Sequence, residues 1–150
     1  MTDTMDTRID QAQALLGMEL ASYRWVIEEG HVRQFRHALE STGAPFITAD
    51  GVPITFTVTT GLWGHSHQSL LERVGLDPRH VVHGEQCFEL LRPLEVGAEY
   101  TVTQRLSDVA VKSGRRGGRM LIVVVETRVA DEADQTCAIE WHTSIQTEGA

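Results

Sequence analysis

The sequence predicts an α+β fold, a long antiparallel β-sheet curved around one central α-helix. Two observations point there: helical periodicity is confined to the N-terminal half, and the C-terminal half holds long strand-like segments separated by turn signals. A third is the length of 150 residues, which suits a single domain over 1–150, with 1–20 as a short N-terminal extension.

In chain order, Ile9, Ala12, Leu15 and Leu16 fall at helical spacing and predict a short amphipathic helix beside the main body. Tyr23, Trp25 and Ile27 alternate with Arg24 and Val26, a strand rich in aromatic and β-branched residues. Val32, Phe35 and Leu39 then mark one face of a helix. Ser41 to Pro53 holds two Gly and two Pro and reads as a loop. The next stretch is ambiguous. Thr55 to Thr60 has strand composition, yet Pro53 suits a helix's first turn, and Leu62, Trp63, Leu70 and Val74 are compatible with a buried helix ending before Gly75.

The second half is more regular. Val81 to Leu91 is strand-like and leads into Arg92-Pro93-Leu94-Glu95-Val96-Gly97, a turn marked by Pro and Gly. Tyr100, Val102 and Leu106 share one alternation of a half-buried strand, which runs to a glycine-rich hairpin at residues 112–119. Met120 to Val129 is almost continuously apolar. A final strand alternates Cys137, Ile139, Trp141 and Ile145 against Glu140, His142 and Ser144.

Thirteen basic and twenty-one acidic residues give a formal charge of -8, which disfavours nucleic acid as a partner. Cys87 and Cys137 lie in apolar strand-like runs without a zinc-type spacing, so both are expected to be small buried residues, with neither a metal site nor a disulfide. The charged first twenty residues lack a signal-peptide core, and no apolar run approaches membrane-spanning length. A cytoplasmic protein without a membrane partner is expected.

Five stretches in this order resemble one family: Trp25-Val26-Ile27-Glu28-Glu29-Gly30-His31-Val32-Arg33-Gln34-Phe35, Pro53-Ile54-Thr55-Phe56, His83-Gly84-Glu85-Gln86, Arg92 to Gly97, and Arg115-Arg116-Gly117-Gly118. Over about residues 20–146 the chain is similar to the MaoC-like dehydratases, in particular their N-terminal or FAS1-like dehydratase domain. The resemblance implies the hot-dog fold, with Pro53 opening the central helix. It also implies (R)-specific hydration of an enoyl thioester, or dehydration of a hydroxyacyl thioester, in fatty-acid, mycolate-like or steroid side-chain metabolism. The substrate would ride on coenzyme A or an acyl carrier protein, with no separate cofactor.

In active members an Asp and a His, five residues apart in a Gly-Asp-x-Asn-Pro-x-His pattern, exchange the proton and position the water. Aligning that pattern on Pro45 puts Thr42 at the Asp position and Ile47 at the His position. Ile has no exchangeable proton and Thr is a far poorer base than a carboxylate. The resemblance therefore implies an accessory, non-catalytic subunit that pairs with a catalytic hot-dog subunit as a heterodimer or heterotetramer. Two alternatives stay open. One is a self-sufficient hydratase or thioesterase using Asp50 or Glu85, and the other is a homodimeric acyl-thioester binding scaffold without turnover.

His83 and Glu85 would share a face of a regular strand, as a structural pair or as a catalytic one, while His142 reads as outward-facing. His65 and His67 lack the further ligands a metal would need. Phe56 and Trp63 are expected to help line the acyl pocket. Lys112, Arg115, Arg116 and Arg119 put four cations in eight residues of an acidic chain, either to hold the ligand's phosphates or as a solvated hairpin tip.

Overall fold

The computed structural model describes residues 4–39, 51–63, 67–114 and 118–148. Helix α1 (Met5–Ala14) starts where the Thr4 hydroxyl accepts the Thr7 N–H at 3.4 Å. Strand β1 (Glu19–Val26) and helix α2 (Glu29–Ala38) follow. Pro53 is extended, and helical structure begins at the next residue: a 3₁₀ segment (Ile54–Thr59) runs into α3 (Thr60–Trp63), and α4 (His67–Arg73) comes next. A short 3₁₀ turn (Pro78–His80) leads to four strands, β2 (Val81–Leu90), β3 (Glu99–Ser113), β4 (Arg119–Ala130) and β5 (Thr136–Thr147).

The Thr/Val run after Pro53 is thus helical. Its β-branched residues prefer strands, but Phe56 is buried against Trp25, with ring centroids 5.7 Å apart, and Thr59 donates to the Phe56 carbonyl at 2.8 Å. Burial and local hydrogen bonding override intrinsic preference. Gly75, at φ +87°, turns the chain away after α4, where a Cβ would meet the Gln11 side chain and the Arg8 carbonyl at 3.1–3.3 Å.

The five strands form one antiparallel sheet in the order β1-β3-β4-β5-β2. Its inner face packs on the helical segments through two apolar clusters. One joins Met5 and Ala12 of α1 to Leu70 and Val74, over Leu106 and Val123. The other joins Trp25, Val32 and Phe56 to Tyr100, Val102 and Val129. Each buried Leu or Phe in these clusters contributes about 1.5–3 kcal/mol relative to exposure.

Two expectations are corrected. Cys137 is buried, but Cys87 is exposed, because it lies opposite Trp141 on the outer face of the sheet. The last strand is turned the other way from its apolar pattern: Ala138, Glu140, Ser144 and Gln146 are buried, whereas Ile139, Trp141 and Ile145 are half-exposed. Alternation establishes that a strand has two faces without saying which one meets the helix.

Candidate ligand cavity on the inner face of the sheet

Three adjacent strands each turn a polar residue inward: on β3 and β4 it interrupts an apolar alternation, and on β5 it stands with the polar residues His142, Ser144 and Gln146. Gln104 of β3 lies opposite Thr127 of β4, and Thr127 lies opposite Glu140 of β5, so the three form a row across the sheet. All three are buried. The row separates the two apolar clusters, with Val102 and Val129 on one side and Leu106 and Val125 on the other.

Glu140 is only 6% exposed. Gln86 Nε2 donates to its Oε1 at 2.6 Å, while Oε2 has no hydrogen-bond partner among the described residues. Burial pushes the carboxyl above its usual value of 4.5, against the opposing pull of the Gln86 and Thr57 side chains. Gln104 Nε2 reaches Thr127 Oγ1 at 3.4 Å, and Gln104 Oε1 is likewise without a partner among the described residues. On the edge strand beside this row, Tyr23 donates to the Thr60 carbonyl at 2.9 Å. Burial raises its phenol pKa, and the negative charge of Glu140 adds to that rise.

A β-bulge decides what β2 contributes. Val82 and His83 pair with Ile145 and Ser144, then the register shifts so that Glu85 faces Thr143 and Gln86 faces His142. His83 and Gln86 therefore join the inner face with Ser144 and His142, and Glu85 goes to the outer face with Thr143. The expected sharing of a face by His83 and Glu85 fails because the bulge adds a residue between them. Gly84 permits it: a Cβ there would lie 2.9 Å from Ile145 Cδ1. His142, expected to face outward, instead meets His83 edge to face, with ring centroids 4.5 Å apart.

These side chains line a cavity of about 420 Å³. Gln86, Gln104, Thr127, Glu140 and the two histidines supply its polar wall, and Val58, Leu62 and Leu70 of the helical segments its apolar wall. Its exposed members are Leu62, at 74%, Val58 and His83, so the mouth lies between the helix and the β2 edge. Chemically the cavity combines apolar surface with a carboxyl whose pKa burial raises and an imidazole pair. Among the described residues no cluster of His, Cys, Asp or Glu could hold a metal.

The residues singled out from sequence are scattered. Thr42, Ile47, Asp50, Arg115 and Arg116 lie outside the described residues, as do His65 and the Trp63 side chain. Phe56 is 1% exposed between Trp25 and Phe35 and does not line the cavity. Lys112 is exposed at the end of β3. The Arg119 guanidinium is held by Asp6 at 2.5 Å and by Glu148 at 2.9 Å. Glu140, Gln86 and Gln104 were missed from sequence. The available signal was a charged residue amid an apolar strand, on the face read as outward.

A sheet curved over a helix, with a ligand-sized cavity between the two, defines an α+β hot-dog protein. The chain belongs to the FAS1-like dehydratase domain region family, whose model matches residues 14–140. The ChsH1-ChsH2 complex from Mycobacterium tuberculosis contains a similar chain, with 15% identity and a TM-score of 0.68 over 97% of this chain and 93% of that one. The HadBC (3R-hydroxyacyl-ACP dehydratase) complex from the same organism gives 15% identity and 0.62 over 87% and 96%. The (R)-hydratase from A. caviae involved in PHA biosynthesis gives 15% and 0.57 over 86% and 94%. At such identities these likenesses show the fold. No curated protein matches the sequence. Among the described residues no helix is long and apolar enough to cross a membrane.

Proposed function

We propose that the chain is an accessory, non-catalytic subunit of a hetero-oligomeric (R)-specific enoyl-thioester hydratase or 3-hydroxyacyl-thioester dehydratase. The observation that carries this reading is the place of the cavity mouth, beside the side of the ten-residue strand β2 that pairs with no strand among the described residues. An unpaired edge is a template for another strand. A second hot-dog subunit docked there would complete the cavity wall. Thr42 and Ile47 stand where the family's Asp and His are expected, so the partner brings the proton chemistry. Two of the similar structures above, HadBC and ChsH1-ChsH2, are complexes, which supports the same reading. The substrate is an acyl thioester of coenzyme A or a carrier protein in cytoplasmic lipid metabolism.

Co-expression with a hot-dog subunit bearing the intact Asp and His tests this. A stable complex with hydratase activity, followed as loss of enoyl-thioester absorbance, is the expected result, and equal activity from this chain alone overturns it. One observation favours a partner-independent hydratase, the upward-shifted carboxyl of Glu140 in the cavity. In that case the chain alone turns over and Glu140→Gln abolishes the activity. Glu85 lies opposite Thr143, on the other face of the sheet from this cavity.

A further inference from the structure

Two side chains in the cavity wall are each 6% exposed and each carry a polar atom without a partner among the described residues: Glu140 through Oε2 and Gln104 through Oε1. They occupy the same row of the sheet, one strand on either side of Thr127. Two long side chains flanking a short one leave a recess above Thr127, about two strand spacings wide, or roughly 10 Å between their backbones. All three residues line the cavity. Leaving a buried polar group unpaired is unfavourable, so a ligand that satisfies these two atoms gains affinity from them. Above and below the recess, the walls formed by Val125, Leu70 and Val58 are apolar.

We propose that Glu140 and Gln104 form a recognition site for a hydroxyl group carried on an otherwise apolar ligand. A hydroxyl both donates and accepts. If Glu140 is a carboxylic acid, its O–H donates to the ligand oxygen and the ligand O–H donates to Gln104 Oε1. This arrangement satisfies both residues, with the Gln104 amide oriented by its Nε2 bond to Thr127 Oγ1. A carbonyl or ether only accepts, and against that amide orientation it leaves Gln104 Oε1 unpaired. Gln86 holds the other oxygen of Glu140 and fixes the direction of the free one. For an acyl-thioester ligand this puts the hydroxyl on the tail; that corollary rests on the function proposed above, whereas hydroxyl binding itself does not.

The test is titration of the full-length chain with 1-hexanol and with its methyl ether, 1-methoxyhexane, following the side-chain amide signals of Gln86 and Gln104 by NMR. Hexanol is expected to bind about tenfold tighter than the ether, the equivalent of one well-made hydrogen bond. Glu140→Met and Gln104→Met, close in size to the native residues, should each erase that preference, and Glu140→Gln, which still donates and accepts, should keep it. Equal affinity for the two probes, or a preference that survives both Met variants, overturns the proposal. The experiment needs neither a partner nor turnover. A missing complex therefore defeats only the subunit reading, and a missing hydroxyl preference defeats only this one.

Discussion

The polar row under the helix and the basic corner at the end of the β3–β4 hairpin both hold charge, but in opposite ways. At the corner, Arg119 is partly exposed and shared between two carboxylates, Asp6 and Glu148. In the row, Glu140 is buried, with one oxygen held by Gln86 and the other without a hydrogen-bond partner among the described residues, although the Thr57 side chain also draws on the carboxyl. The two glutamates shift accordingly. Hydrogen bonds from Arg119 hold Glu148 below its usual 4.5, and burial holds Glu140 above it. A charge already neutralised by its own chain has little to offer a ligand's phosphates, whereas a carboxyl with an unmet bond does. The comparison moves the weight of the candidate site from Arg119 to the cavity.

Four variants break or sharpen this contrast, from the largest effect to the smallest. Gln86→Leu removes the amide that holds Glu140 Oε1 and leaves the buried carboxyl without that partner. It should cost about 3 kcal/mol at pH 8, seen as a lower urea midpoint, and less as pH falls and the carboxyl takes up its proton. Gly84→Val forces side-chain atoms against Ile145 at the bulge that aims Gln86 inward. A loss of about 2 kcal/mol is expected, with shifted Gln86 and His142 signals.

Glu140→Gln should instead stabilise, by about 1 kcal/mol at pH 8. The sign follows from the raised pKa. The native carboxyl contributes fully below about 4.5, and its contribution is lost as pH rises through the folded value, so the variant's advantage is absent at pH 4 and grows upward. Tyr23, His83 and His142 are further ionisable side chains beside this site, so the comparison is best made as variant minus wild type across pH. Arg119→Met should have the smallest effect, fading in 0.5 M salt, because it removes only exposed ion pairs. Its pH dependence runs the opposite way: the stability from Glu148 is present above about 4.5 and lost as pH falls through the lowered folded value. A larger loss for Arg119→Met than for Gln86→Leu would reverse the contrast.

The sheet was legible from sequence because the turns after Leu91, around residues 112–119 and at Asp131 to Gln135 carry their own chemistry, and the strands between them alternate. The central helix was not legible from its own residues. Thr55 to Thr60 read locally as a strand, and only the family resemblance made Pro53 a helix start, since the burial that overrides propensity is a property of the assembled fold. The cavity was hidden for two separate reasons. Period-two patterning shows two faces of β5 but not which is inner, so Glu140 and His142 passed for solvent-facing residues. A one-residue bulge has no composition signal beyond a single Gly, so the exchange of Glu85 for Gln86 on the inner face could not be read.

The bulge at Gly84 also bears on which neighbours β2 accepts. A regular strand laid along this edge could keep its hydrogen bonds in step only up to the irregularity, and would then fall out of phase. A matching strand must bring a compensating kink of its own. The same residue that turns Gln86 toward the cavity thus acts as a mechanical filter on the open side of the sheet, tolerating a shaped partner and discouraging the indiscriminate zippering through which flat edges seed aggregates.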